Sequence, residues 1–275
     1  MTPQPSRSAA TLAQSPVLRE TIDGIAVLTL DSPASRNALS EAMIAALQGE
    51  LDSIRDDKNI RAVVIAATGN VYSSGHHLKE LTARRADPDK GRAYFAQMMT
   101  ACSTMMQTIV HLPKPVVAAV QGVATAAGCQ LVATCDLAVA SERATFATPG
   151  IDIGLFCSTP MVALSRNIPR KQAMHMLLTG EPISAERARE LGLVNSVVAA
   201  GLERATAIDL AKTIALKSAY TLRIGKEAFY RQAEMSLADA YTYTAQVMAE
   251  NMMARDAEEG IGAFIDKRAP KWEDR

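Results

Sequence analysis

Residues 112–136 read LPKPVVAAVQGVATAAGCQLVATCD. Pro113 and Pro115 punctuate the chain, and the apolar run Val116–Val120 follows, closed by Gly122. A short β-branched run between breakers reads as a buried strand. Residues 122–128, GVATAAG, are all small, which lets main chain approach a ligand closely. A helix over 126–134 would aim its first free N–H groups at whatever lies above it. A strand feeding a glycine-bearing turn and a helix start can hold negative charge. The same pattern also serves tight packing, so spacing alone leaves both readings open.

Upstream, Ile25–Leu30 (IAVLTL) is a strand, ended by Asp31-Ser-Pro33. Ser40 is placed to cap a helix whose Ile44, Leu47, Leu51 and Ile54 share one face. Residues 62–66 (AVVIA) give the next buried strand, so strand, helix, strand forms a parallel crossover. Residues 68–80, TGNVYSSGHHLKE, form a second loop of small and polar residues after a buried strand. Its His76 and His77 are adjacent and have no third ligand at useful spacing, so no metal site is expected. Lys79 is open between a solvated charge and a phosphate partner. Residues 84–91 (RRADPDKG) read as an exposed, mobile loop, and 93–110 as a methionine-rich helix.

Downstream, 137–140 is a strand and 146–154 (FATPGIDIG) a loop with one carboxylate, Asp152. Thr159 is expected to cap a helix with Pro160 at its first position. Two helices fill 170–195, with Ser184 as a cap and Gly192 as a stop, and 194–198 is a last short strand. From Leu202 onward the chain is helical, with breaks near Ser236 and Asp256. The Ala, Met and Tyr content of 218–268 has few places to hide in a small core, which points to a partner subunit.

The 275 residues carry 29 Lys+Arg and 29 Asp+Glu, so the formal net charge is zero. That gives no support for a nucleic-acid or membrane-surface role. An anionic ligand must be held by local cations and main-chain N–H groups. Cys102, Cys129, Cys135 and Cys157 form no C-x-x-C and read as reduced thiols. No apolar run approaches the roughly 18 residues of a membrane span. Residues 1–16 read as a disordered tail, with a mitochondrial presequence as the alternative. The expected location is cytoplasmic, with the mitochondrial matrix as the alternative.

Several segments together resemble the enoyl-CoA hydratase/isomerase (crotonase) superfamily. They are Arg36-Asn-Ala-Leu39, Ser73-Ser-Gly-His-His-Leu-Lys-Glu-Leu81, Lys114-Pro-Val-Val-Ala-Ala-Val-Gln-Gly122, Ala126-Ala-Gly-Cys-Gln-Leu131, Cys135-Asp136, Leu178-Thr-Gly180, residues 188–194 and Ala263-Phe-Ile-Asp-Lys-Arg268. They occur in family order over about residues 17–270, and their combination is specific where no single segment is. The resemblance implies an α/β fold, a crotonase (ClpP-like) spiral of ββα units over 17–200. A helical trimerisation region over 201–275 would follow, assembling a homotrimer or a dimer of trimers. It implies an acyl-CoA thioester as ligand and no cofactor beyond the CoA moiety.

Aligned by motif, the main-chain N–H groups of His76 and Ala127 would form the oxyanion hole for the thioester carbonyl. Arg36, Asn37, Ala38, Ser74, Gly75, Leu78, Lys79 and Gly128 would line the ligand. Phe264 and Lys267 would close its adenine and phosphate end from a neighbouring subunit. The two glutamates that hydratases of this family use are absent: Gln130 and Gly150 stand in their places. Hydration needs a base for water and an acid for the α-carbon, and neither an amide nor a glycine supplies them. Hydration is therefore expected to be weak or absent. Installing glutamate at both positions is expected to raise it. The alternatives are another enolate reaction, isomerisation or thioester chemistry, using Asp152, or acyl-CoA binding without catalysis. Cys157 is a weaker candidate, because nothing in the sequence suggests a lowered thiol pKa.

Overall fold

The computed structural model describes residues 15–275. The expected tail over 1–16 lies almost wholly outside the described residues. β1 (Val17–Ile22) and β2 (Ile25–Leu30) form an antiparallel hairpin. Its turn is Asp23-Gly24, both at positive φ (50° and 79°), as a two-residue hairpin loop requires. α1 (Glu41–Arg55) starts where Ser40 Oγ accepts from the Met43 N–H at 3.1 Å, and buries Met43, Ile44, Leu47, Leu51 and Ile54. β3 (Ala62–Ala67) then pairs parallel with β2.

From here the chain repeats one pattern: a strand for a large sheet, a three-residue strand for a small sheet, then helix. β4 (Val71–Ser73) leads to α2 (Leu78–Ala83) and α3 (Arg92–His111). β5 (Val116–Val120) and β6 (Val123–Thr125) lead to α4 (Ala127–Thr134). β7 (Leu137–Ser141) and β8 (Thr145–Ala147) lead through a 3-10 segment, Pro149–Ile153, to α5 (Pro160–Asn167) and α6 (Arg170–Thr179). β9 (Ile183–Ser184), α7 (Ala185–Leu191), β10 (Ser196–Val198) and α8 (Glu203–Ala215) complete the spiral. α9 (Ala219–Gln232), α10 (Leu237–Met252) and α11 (Arg255–Ile265) follow.

The large sheet has strand order β1-β2-β3-β5-β7-β10, parallel except for β1, and the small one β4-β6-β8-β9, parallel except for β9. The apolar runs of β2, β3 and β5 are buried on both faces, as a covered parallel sheet demands. Leu28, Ile65 and Ala118 face the main core with α1, α3 and α4. Val27, Val64 and Val117 face a second core beneath α8. Ala207 and Ala211 of α8 meet Ala62, Ala66 and Ala119 there, so small residues let the helix lie close to the sheet.

One local expectation is corrected. Pro160 does open α5, but Thr159 makes no side-chain cap bond, because its own main chain is already helical (φ −74°, ψ −41°). Residues 84–90 are largely exposed, as expected, and the segment carries bonds of its own. Asp89 accepts from the Gly91 and Ala93 N–H groups at 2.9 and 2.8 Å, and the Arg84 guanidinium lies 4.6 Å from the Tyr94 ring centre.

α9 is fastened to the core by one buried lysine. Lys226 Nζ donates to the Ile109 and Lys114 carbonyls at 2.9 and 3.0 Å and to Asp136 at 2.6 Å, and Asp136 also accepts from Tyr230 Oη at 2.8 Å. The chain's last residues return to α8 and α9. Trp272 Nε1 donates to the Leu216 carbonyl at 2.8 Å, Asp274 accepts from the Ala219 N–H at 2.7 Å and pairs with Arg61, and Asp256 accepts from the Glu273 and Asp274 N–H groups.

Candidate functional site

β4 and β6 are parallel neighbours, so the loops leaving their C-terminal ends emerge side by side. Two glycines press these loops together. A Cβ on Gly75, which has φ +82°, would lie 2.9 Å from Ala126 Cβ and 3.1 Å from Ala127 N. A Cβ on Gly128 would lie 2.3 Å from the Ser73 carbonyl oxygen. Only hydrogen fits at either position. The contact brings the main chain of His76 beside that of Ala127, and neither N–H has a hydrogen-bond partner among the described residues.

The peptide that presents the Ala127 N–H is oriented by an unusual residue. Ala126 has φ 50° and ψ −119°, the first central position of a mirror-image turn that usually holds glycine. Its N–H donates to the Ala147 carbonyl at 2.9 Å and its carbonyl accepts from the Gln130 N–H at 3.0 Å. Such a conformation costs about 1–3 kcal/mol and persists only where the surroundings fix it. Nothing in the Thr-Ala-Ala-Gly sequence announces it.

Buried polar atoms without partners among the described residues gather around this turn. They include Gln130 Oε1, Thr148 Oγ1 and both ring nitrogens of His76. Gln130 is 4% exposed and Thr148 0%. Most buried polar groups find a partner, so orphans concentrated on adjoining segments mark a place where something else binds. Thr148 was not singled out in the sequence, and its signal is only its place beside Pro149 and Gly150. The neighbouring His77 is spoken for: its Nδ1 accepts from the Glu80 N–H at 3.2 Å and caps α2. Among the described residues no group of three or more potential ligand side chains could hold a metal ion.

The other candidate residues fall into two sets. Ser74, Gly75 and Gly128 lie in the two loops. Arg36 and Asn37 sit beside them at left-handed φ of 57° and 50°. Asn37 is fully buried, its Nδ2 donating to the Thr68 and Val71 carbonyls at 2.9 and 2.8 Å, so its side chain fixes the 32–37 turn to the connection between β3 and β4. Ala38 is buried as well, whereas Arg36, Leu78 and Lys79 are exposed. Phe264 and Lys267 belong to the second set. They lie at the end of α11, which packs on α10, and Phe264 is 85% exposed.

The places of the absent glutamates are now physical. Gln130 lies one turn along α4 from Ala127, on the wall of a cavity of about 1080 Å³ between α3, α4, α5 and α9. Gly150 has no room for a side chain: its Cβ would stand 2.8 Å from the Leu155 carbonyl oxygen and 2.9 Å from Cys157 Sγ. This changes the expectation for installing two glutamates, because position 150 cannot accept one until the 155–157 segment moves. Burial pushes the Cys157 thiol pKa up, which keeps it protonated and poorly nucleophilic. Asp152 is exposed and lies against Gly180 at the end of α6, whose Cβ would be 2.8 Å from its Oδ2.

A sequence model of the Enoyl-CoA hydratase/isomerase family matches residues 20–275. Enoyl-CoA hydratase domain-containing protein 3, mitochondrial, from Xenopus laevis is 49% identical over 90% of this chain and 83% of its own length. The human protein of that name is 46% identical over 94% of the chain and 83% of its own length. A crystal structure of human enoyl Coenzyme A hydratase domain-containing protein 3 superposes with a TM-score of 0.89, covering 94% of this chain and 100% of that one, at 46% identity. The crystal structure of an enoyl-CoA hydratase from Mycobacterium smegmatis gives 0.89 at 47% identity, over 94% and 99% of the two chains. The mitochondrial names lend no support to the expected cytoplasmic location and favour its alternative. The crotonase fold, the order of the motifs and the family match agree, and the chain belongs to the enoyl-CoA hydratase/isomerase family.

Proposed function

We propose that the chain binds an acyl-CoA thioester with its carbonyl oxygen between the N–H groups of His76 and Ala127, and stabilises an enolate there. The observation that carries this reading is the pair of unbonded N–H groups brought together by Gly75 and Gly128. Donors fixed before the reaction need no reorganisation as charge develops, and losing one costs about 3–4 kcal/mol of barrier. The acyl group runs along α4 past Gln130 into the cavity. Hydration of a 2-enoyl-CoA is feeble, because no carboxylate stands at position 130 or 150. Asp152 is not its substitute, being solvent-facing against α6.

The exposed apolar faces of α10 and α11 support a homotrimer or a dimer of trimers. Phe264 and Lys267 of one subunit would then reach the CoA end of another's ligand. The relatives' names favour a mitochondrial setting.

Calorimetric titration with butyryl-CoA, against free CoA, tests the binding. Micromolar affinity that is lost in Gly75→Ala supports it, and equal affinity for free CoA would show that the thioester is not recognised. Crotonyl-CoA hydration should run orders of magnitude below that of a two-glutamate relative, and Asp152→Asn should leave it unchanged.

A further inference from the structure

We infer that the imidazole of His76 is the proton carrier of this site, exchanging the α-proton of a bound acyl thioester; the inference rests on the acyl-thioester reading above. His76 is the residue whose main-chain N–H is one of the two oxyanion donors. Both of its ring nitrogens are buried and, among the described residues, without a hydrogen-bond partner. A neutral imidazole always carries one N–H donor and one bare acceptor, so leaving both unmatched is unfavourable until a ligand arrives.

Burial holds the His76 pKa below the ordinary imidazole value, while the Leu39 carbonyl, near but outside hydrogen-bonding geometry, pulls the other way. Among the described residues no charged side chain contributes. On the adjoining elements, Glu80 Oε2 is committed to the Glu41 N–H at 3.2 Å, His77 to the α2 cap, and Arg36 to solvent. The ring is therefore neutral at pH 7 and able to accept a proton.

The geometry follows from one residue serving twice. A carbonyl oxygen held by the His76 N–H has its α-carbon two bonds away, and in the inferred arrangement a ring nitrogen of that same residue stands against it. The bare ring nitrogen takes the α-proton. The C–H electron pair becomes the enolate, whose oxygen charge rests on the His76 and Ala127 N–H groups. The proton then returns to carbon from the ring after exchange with water, so no further reactant is needed. A site without its glutamates would still form enolates by this route.

The test is deuterium wash-in at C2 of butyryl-CoA in D2O, read by mass spectrometry at saturating ligand. Wild type should incorporate deuterium, at a rate that falls on the acid side through a midpoint below 6.5, the ordinary imidazole value. His76→Asn and His76→Gln keep the main-chain N–H and should slow exchange at least 100-fold, the usual scale for a positioned acid–base. His175→Gln, on the exposed side of α6, should exchange as wild type does. Exchange that persists in His76→Asn, or a loss that disappears at saturating butyryl-CoA, would overturn the inference. Butyryl-CoA binding to wild type without any exchange would overturn it too and leave the thioester reading standing. Absence of butyryl-CoA binding would remove both.

Discussion

Ala126 sits in a main-chain conformation that glycine adopts freely, with its Cβ facing Gly75. Ala126→Gly should therefore show none of the roughly 1 kcal/mol loss that Ala→Gly brings inside a helix, because relieved strain offsets the added freedom of the unfolded chain. Urea unfolding checks this. Gly75→Ala does the opposite. It forces a methyl against Ala126 at left-handed φ, parts the two loops, and should lower butyryl-CoA affinity or turnover about 100-fold. Gly150→Glu meets Leu155 and Cys157 and should destabilise without raising crotonyl-CoA hydration. His76 adds a pH dependence. Its folded pKa is lowered, so the unfolded chain binds the extra proton. Stability is full above the unfolded value of 6.5 and falls as pH drops from there toward the folded value. His76→Asn should flatten that decline in urea midpoints measured between pH 5 and 7.

Among the elements, the long buried strands could be read from sequence and the short ones could not. β2, β3 and β5 are apolar on both faces, and that continuity survives in the bare sequence. β4, β6 and β8 have three residues each, too few for any period, and exist because the preceding strand delivers the chain to a neighbour. These strands place both loops of the site. The loops were recognisable by their small residues and motifs, but their convergence was not. One element was readable and missed: Asp23-Gly24 between β-prone residues is a hairpin signal. The orphaned nitrogens of His76 lay beyond sequence, since they depend on which atoms other loops bring near. At this scale the lysine that fastens α9 is the sensitive point. Lys226→Met leaves the half-buried Asp136 with one partner fewer and should cost about 3 kcal/mol in urea unfolding.

For the whole molecule, the described chain shows a surface that a lone subunit does not cover. α10 buries none of its residues, and Leu237, Met253 and Phe264 are 76%, 87% and 85% exposed. Leu237→Asp with Met253→Asp should convert a multimer to a 29.4 kDa species in light scattering, with weaker CoA-ester binding but unchanged far-ultraviolet circular dichroism. The spiral core and α8 explain the independence of these outcomes, because their two apolar layers close without α10 or α11.

Trp272 and Asp274 are bonded to the start of the preceding helical region, so the arm carrying Phe264 is pinned at its far end as well as its near one. A stop codon after residue 271 would unfasten that clasp and leave the sheets as they are. Such a shortened chain would fold, yet its arm would swing, and any step that relies on a neighbour's aromatic ring arriving at one fixed spot would fade first.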